Sequence, residues 1–278
     1  MEKRNRSEGW KHAKLSGHEN ERLLKQMLDD GNSDLLETLG MQRADIASID
    51  IGGLKETNVP CVIGGTTKSK TDCVIVAGSK IRNISLKKGN GQVYLITVDR
   101  FINGFEKQYN VTIPEIVKRG IALYWGTAND TLEIVDKVGT KKAYETRKHR
   151  LSGDTLRLYD EKIYNDLVAW FTYEAANIFD FCFSKGLASN VNDHAEYIWY
   201  YNTLGENNNN SLYSVSELKA AVVENPQAMY SPKAGGTTIW LPFGFVQWHS
   251  PTKVIPGCMQ FHHQYVKVKS LAKTLEDN

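Results

Sequence analysis

The most constraining stretch of this chain is residues 73–87, where two short β-forming runs, Cys73–Val76 and Ile81–Lys87, flank Ala77-Gly78-Ser79-Lys80. Gly and Ser between β-branched runs predict a hairpin, because glycine readily takes the positive φ that tight hairpin turns need. With the turn centred between Gly78 and Ser79, antiparallel pairing sets Val76 opposite Ile81, Val74 opposite Asn83 and Asp72 opposite Ser85. Side chains alternate along a strand, so Ser85 and Lys87 share one face while Ile84 and Leu86 point into the core. An acid, a hydroxyl and an ammonium then converge on one patch, and a slip of one residue would scatter them.

The segments before the hairpin read as helices. Ser16-Gly17-His18-Glu19 has the form of a capping box, which predicts a helix carrying Leu23, Leu24, Met27 and Leu28 on one face and stopping near Asp30-Gly31. At about 100° per residue, Glu21 falls beside Leu28 at the edge of the apolar stripe and Asn20 falls at its centre. Two readings stand: Glu21 serves the hairpin patch, or it is partly exposed while Asn20 bonds to backbone. A second short helix, Leu35 to Leu39, should end at Gly40.

Further along, Ile49–Thr67 reads as strand and loop, Gln92–Val98 as a strand and Arg100–Tyr109 as a helix. Leu156–Ser184 has helical spacing of leucine, alanine and aromatics. From Tyr230 onward, glycines, prolines and aromatics alternate as in hairpins with long loops. Trp199, Tyr200 and Tyr201 read as core. The expected organisation is α+β, with a catalytic region over residues 1–150 and a helical and β recognition region over 151–278.

Composition narrows the partners. A chain of 278 residues that is 41% apolar can bury a sizeable core. Met1–Gly9 is polar and charged, and no run reaches membrane-spanning length, so the expectation is a soluble, cytoplasmic protein. Cys61, Cys73, Cys182 and Cys258 form no Cys-x-x-Cys pair and read as reduced packing residues. The net charge is only +2. Basic residues nevertheless cluster at Lys68–Lys88, at Lys141–Arg150 and at Lys267 and Lys269, where they can meet phosphates or simply face solvent. His249, His262 and His263 fit no common zinc spacing, and adjacent histidines on a strand point to opposite faces.

The hairpin patch suits metal-assisted phosphodiester chemistry. A carboxylate can hold a hard divalent cation, and a lysine can orient the attacking water and offset charge that develops on the phosphate. One carboxylate alone holds Mg²⁺ weakly. Ser85 stands where a second acid would be expected, and Glu21 on the preceding helix could supply it.

At these residues the chain resembles the PD-(D/E)xK nucleases in the form used by type II restriction endonucleases, with the MspI-like members nearest. The family's helical Gly-x-x-Asn-Glu matches Gly17-His18-Glu19-Asn20-Glu21. Its strand-start Asp and its polar-x-Lys match Asp72 and Ser85-Leu86-Lys87, with Thr71 in place of the usual Pro. Ser231-Pro232-Lys233, Gln247-Trp248-His249 and Met259-Gln260-Phe261 look like its DNA-reading loops and closing strand.

The resemblance implies a mixed sheet flanked by helices, with a loop-rich C-terminal DNA-recognition region. It implies Mg²⁺-dependent, sequence-specific cleavage of double-stranded DNA by a monomer paired in function with a DNA methyltransferase. Asp72, Ser85, Lys87 and Glu21 would be catalytic, and Asp72, Glu21 and the Leu86 carbonyl would hold the metal. Asn20, Lys88, Gln92, Ser231, Lys233, Gln247, His249 and Lys267 would touch DNA. A repair nuclease on the same scaffold and a DNA-binding protein that no longer cleaves are the competing expectations.

Overall fold

The computed structural model describes residues 22–23, 25–30, 33–51, 58–87, 92–138, 150–202, 209–248 and 257–276. The chain is α+β and forms two compact units interleaved along the sequence. The first comprises Met1–Cys61, Gly65–Asn90 and Phe183–Ser216; the second comprises Val62–Gly64, Gly91–Cys182 and Glu217–Asn278. The division expected near residue 150 falls inside the second unit, because later strands return to the first.

In the first unit, β1 (Ile46–Ile51), β4 (Cys73–Ala77), β5 (Lys80–Lys87), β7 (Tyr197–Asn202) and β8 (Asn209–Ser214) form one sheet in the order β1-β4-β5-β7-β8. A small hairpin of β2 (Asn58–Pro60) and β3 (Thr66–Lys68) lies outside it. All neighbours are antiparallel except β5 and β7, which run parallel. Cys73, Ile75 and Ala77 are buried while Val74 and Val76 are half-buried, the alternation of a strand with one core face. Against that face pack Leu28, from the helical residues 25–29, and Leu35 and Leu36 of the helix Ser33–Thr38, together with Leu39. Ile49, Ile84 and Trp199 complete this core.

The turn and register of the β4–β5 hairpin are those the sequence predicts. Gly78 has φ 57°, and its N–H donates to the Asp45 carbonyl. Val76 pairs with Ile81 and Val74 with Asn83.

The second unit holds an antiparallel sheet in the order β6 (Gln92–Thr97), β12 (Cys258–His263), β11 (Gly244–Trp248), β10 (Thr238–Leu241) and β9 (Met229–Tyr230). The strand expected over Gln92–Val98 ends one residue early, because Val98 opens the helix Val98–Tyr109. Phe101 of that helix meets Phe105, Trp170, Phe181 and Phe261, and these rings form the centre of the unit. The helix Glu115–Trp125 lies close on Glu161–Tyr173 at Gly120, where a Cβ would sit 3.1 Å from Ile163. Cys61, Cys73 and Cys182 are buried, Cys258 is half-buried, and none is in a disulfide. Among the described residues, no helix is long and apolar enough to cross a membrane.

One glycine in this sheet is irreplaceable by geometry. A Cβ on Gly244 would lie 1.9 Å from the His262 carbonyl oxygen, a backbone atom of the paired strand β12. Backbone cannot swing aside as a flexible side chain can, so β11 and β12 must separate. Gly244→Ala should therefore cost about 3 kcal/mol, at the top of the range for overpacked sites. Urea unfolding measures it, and an unchanged midpoint would contradict this account of the strand pair.

Candidate active site

Asp72 lies one residue before β4, and its N–H donates to the Ile84 carbonyl at 2.9 Å. The ladder thus runs one step past the strand and sets Asp72 beside Ser85, as the hairpin register requires. Asp72 Oδ2 accepts from the Leu86 N–H at 2.7 Å and from Ser85 Oγ at 3.2 Å. Lys87 Nζ donates to Ser85 Oγ at 2.6 Å and to the Leu86 carbonyl at 3.2 Å, and stands 3.6 Å from Asp72 Oδ2.

These distances fix the direction of the network. Lysine can only donate and a carboxylate only accept, so the single Ser85 proton points to Asp72 while its oxygen receives Lys87. Ser85 is fully buried, whereas the side chains of Asp72 and Lys87 are 32% and 16% exposed. The hydroxyl is sealed inside and the two charges reach solvent. At such partly sheltered positions charge interactions are stronger than in open water.

The wall beside this patch comes from far along the chain. β7 runs parallel to β5, pairing Ser85 with Ile198 and Lys87 with Tyr200, both of them buried. Trp199 and Tyr200 are core, as expected; Tyr200 stands opposite Lys87, while Trp199 pairs with Leu86 and packs with Ile84 in the core cluster. Just before β7, Glu196 is engaged elsewhere. Its Oε2 accepts from the Asn83 N–H at 3.1 Å, and its Oε1 lies 3.7 Å from Arg82.

The donor set suits a hard cation. Asp72 Oδ1 takes no hydrogen bond among the described residues, and the Leu86 carbonyl lies within the same network. Mg²⁺ is commonly held by one or two carboxylates with water and substrate phosphate filling the remaining positions, so one acid and one carbonyl can anchor it. No group of three His, Cys, Asp or Glu able to hold a metal occurs among the described residues. Glu21 and Asn20 lie outside the described residues, as do Lys88 and His249 and the side chain of Gln92.

The remaining expected DNA contacts belong to the second unit. Ser231 is buried, and its Oγ accepts the Lys233 N–H at 3.2 Å, so it shapes a loop in which Pro232, Lys233 and Ala234 are exposed. Gln247 Nε2 donates to Gln260 Oε1 at 3.1 Å and to His262 Nε2 at 3.2 Å, and the His262 ring stacks on Phe245. That contact makes His262 Nε2 the acceptor and puts the ring proton on Nδ1. Burial pushes the His262 imidazole down to about 4, so it is neutral at physiological pH. As pH falls from 6.5 toward 4 the unfolded chain takes up this proton first, and stability declines across that window. Lys267 Nζ donates to the carbonyls of Leu241 and Gly244. His262 and His263 do face opposite sides of β12, one half-buried and the other buried.

No protein-family model matches this chain, and no curated protein matches it at a significant level.

Proposed function

We propose that this chain is a Mg²⁺-dependent endonuclease of the PD-(D/E)xK type II restriction kind, hydrolysing double-stranded DNA at Asp72, Ser85 and Lys87. The observation that carries this reading is the directed Lys87–Ser85–Asp72 network, built on adjacent positions of a hairpin whose register the sequence specifies. Bound beside Asp72 and the Leu86 carbonyl, Mg²⁺ would polarise the scissile phosphate and make a nearby water more acidic. Asp72 contributes the negative charge that such a cation requires. Lys87 uses two of its three N–H bonds on Ser85 and Leu86, and the third is left for the phosphate or the attacking water. Ser85 holds both charged groups in place from a fully buried position.

Ser85 also supports a second reading, a DNA-binding protein that does not cleave, since it occupies the place of a second acid. Sequencing the ends of plasmid incubated with the chain and Mg²⁺ separates the readings. Ends that share one short sequence support restriction-type cleavage, and scattered ends point to a repair or structure-specific nuclease. DNA bound but left whole would favour the non-cleaving reading.

Base reading in this proposal falls to Gln247 and Lys233, with Gln247 fixed in orientation by Gln260 and His262. Gln247→Ala should weaken binding by about 1–3 kcal/mol at one position of the site and relax discrimination there. Lys233→Ala should do the same at another position. Competition binding against single-base variants checks both. Equal weakening against every sequence would mean contact with phosphate alone.

A further inference from the structure

A cavity of about 390 Å³ lies in the second unit, lined by residues of β9, β10 and the C-terminal helix Tyr265–Glu276. Met229 and Trp240, a cross-strand pair, stand on its wall with 43% and 37% of their surface exposed. Lys267 lines it too, with Nζ 5.9 Å from the Trp240 ring centroid and no Asp or Glu among the lining residues. Gln227 and Ser270 line the same space.

We infer that this cavity binds a nucleotide, with its base stacked on Trp240 beside Met229 and its phosphate against the Lys267 ammonium. An exposed indole offers a stacking face to any base, since every base has a π-face. A cation with no carboxylate nearby selects an anion. Together they select a flat ring that carries negative charge, and the Gln227 amide can both donate to and accept from a base edge. The volume agrees, because ligand cavities run from roughly 300 to 1,000 Å³ and the small end suits one nucleotide.

Lys267 is built for the purpose. Two carbonyls, Leu241 at 3.0 Å and Gly244 at 3.2 Å, hold its Nζ in place and leave one N–H over. Burial draws its pKa below the usual lysine value, and an incoming phosphate would supply the missing counter-charge. The nucleotide could be free or an unpaired residue of a DNA strand. This inference goes beyond the nuclease reading and does not depend on Asp72.

Calorimetric titration of the full chain with deoxyadenosine, dAMP and short oligo(dA) tests it without reading cleavage, so failure of the nuclease proposal leaves the result standing. The chain should bind dAMP saturably and deoxyadenosine about tenfold more weakly. Trp240→Leu should lose about tenfold in dAMP affinity, in line with one stacked base. Ser270→Trp, at an exposed helical position on the cavity wall, should abolish binding while the circular dichroism spectrum stays unchanged. Lys267 itself is left intact because it also holds the β10–β11 turn. Tighter binding of dAMP supports a free nucleotide as the ligand, and tighter binding of oligo(dA) supports a strand. No binding of either, or equal binding by Trp240→Leu and Ser270→Trp, overturns the site, and equal affinity for deoxyadenosine and dAMP overturns the role of Lys267.

Discussion

Lys87→Ala should lower the rate of DNA cleavage in Mg²⁺ by about 10²–10³, the loss seen when one aligned donor to a developing negative charge is removed. DNA affinity should change little, because one ammonium of a basic surface contributes a small share of phosphate binding. The fold should survive. Lys87 is 16% exposed, so water can replace its Nζ at Ser85 Oγ once the side chain is gone. Lys87→Arg should not restore the rate, since a planar guanidinium cannot occupy the place of a point charge 2.6 Å from a buried hydroxyl. Single-turnover cleavage alongside a gel-shift titration reads both effects. Near-wild-type cleavage by Lys87→Ala would remove the basis for the site.

Asp72→Asn should be at least as damaging, by a different route. The amide keeps the shape of the side chain, and its oxygen can still accept the Leu86 N–H now held at 2.7 Å. Its NH₂ group, however, brings a donor toward Ser85 and Lys87, and the negative charge that anchors a divalent cation is lost. Cleavage should fall by about 10³ at Mg²⁺ concentrations that saturate the wild type, comparable to losing the charge stabilisation that a catalytic metal supplies. Glu21→Gln separates the helix acid from the hairpin acid. If Glu21 completes the metal site, the Mg²⁺ midpoint should rise without a change in thermal unfolding. An unchanged midpoint would mean that Asp72, Leu86 and water suffice.

What the sequence makes legible here is local. The β4–β5 register could be read because alternation excludes the one-residue slips that would separate Ile75 from Ile84, and because the turn at Gly78 selects among the registers that remain. That register carries Asp72, Ser85 and Lys87 with it. β7 escaped notice for a physical reason. Ile198, Trp199 and Tyr200 are all buried, so the strand shows no alternation, and short apolar runs of this kind look alike as strand or helix.

Its parallel partner β5 lies far back in the chain, and no turn signal links the two. The interleaving of the two units follows from that one pairing, and for that reason a boundary drawn on composition near residue 150 misses it. The Gln247–Gln260–His262 network needs the β11–β12 register, which joins strands across residues 249–257, a connection too long for its turn residues to fix the pairing. The Gly244 contact is likewise a property of the paired strands and not of either one alone.

The most direct test is conversion of supercoiled plasmid by the purified wild-type chain in Mg²⁺ and, in parallel, in EDTA. A metal-assisted hydrolytic site at the hairpin predicts open-circular and then linear DNA in Mg²⁺ and untouched supercoils in EDTA. Supercoiled plasmid that stays whole in Mg²⁺ while a gel shift shows it bound, or equal conversion in EDTA, would contradict the assignment of Asp72, Ser85 and Lys87 as a nuclease centre.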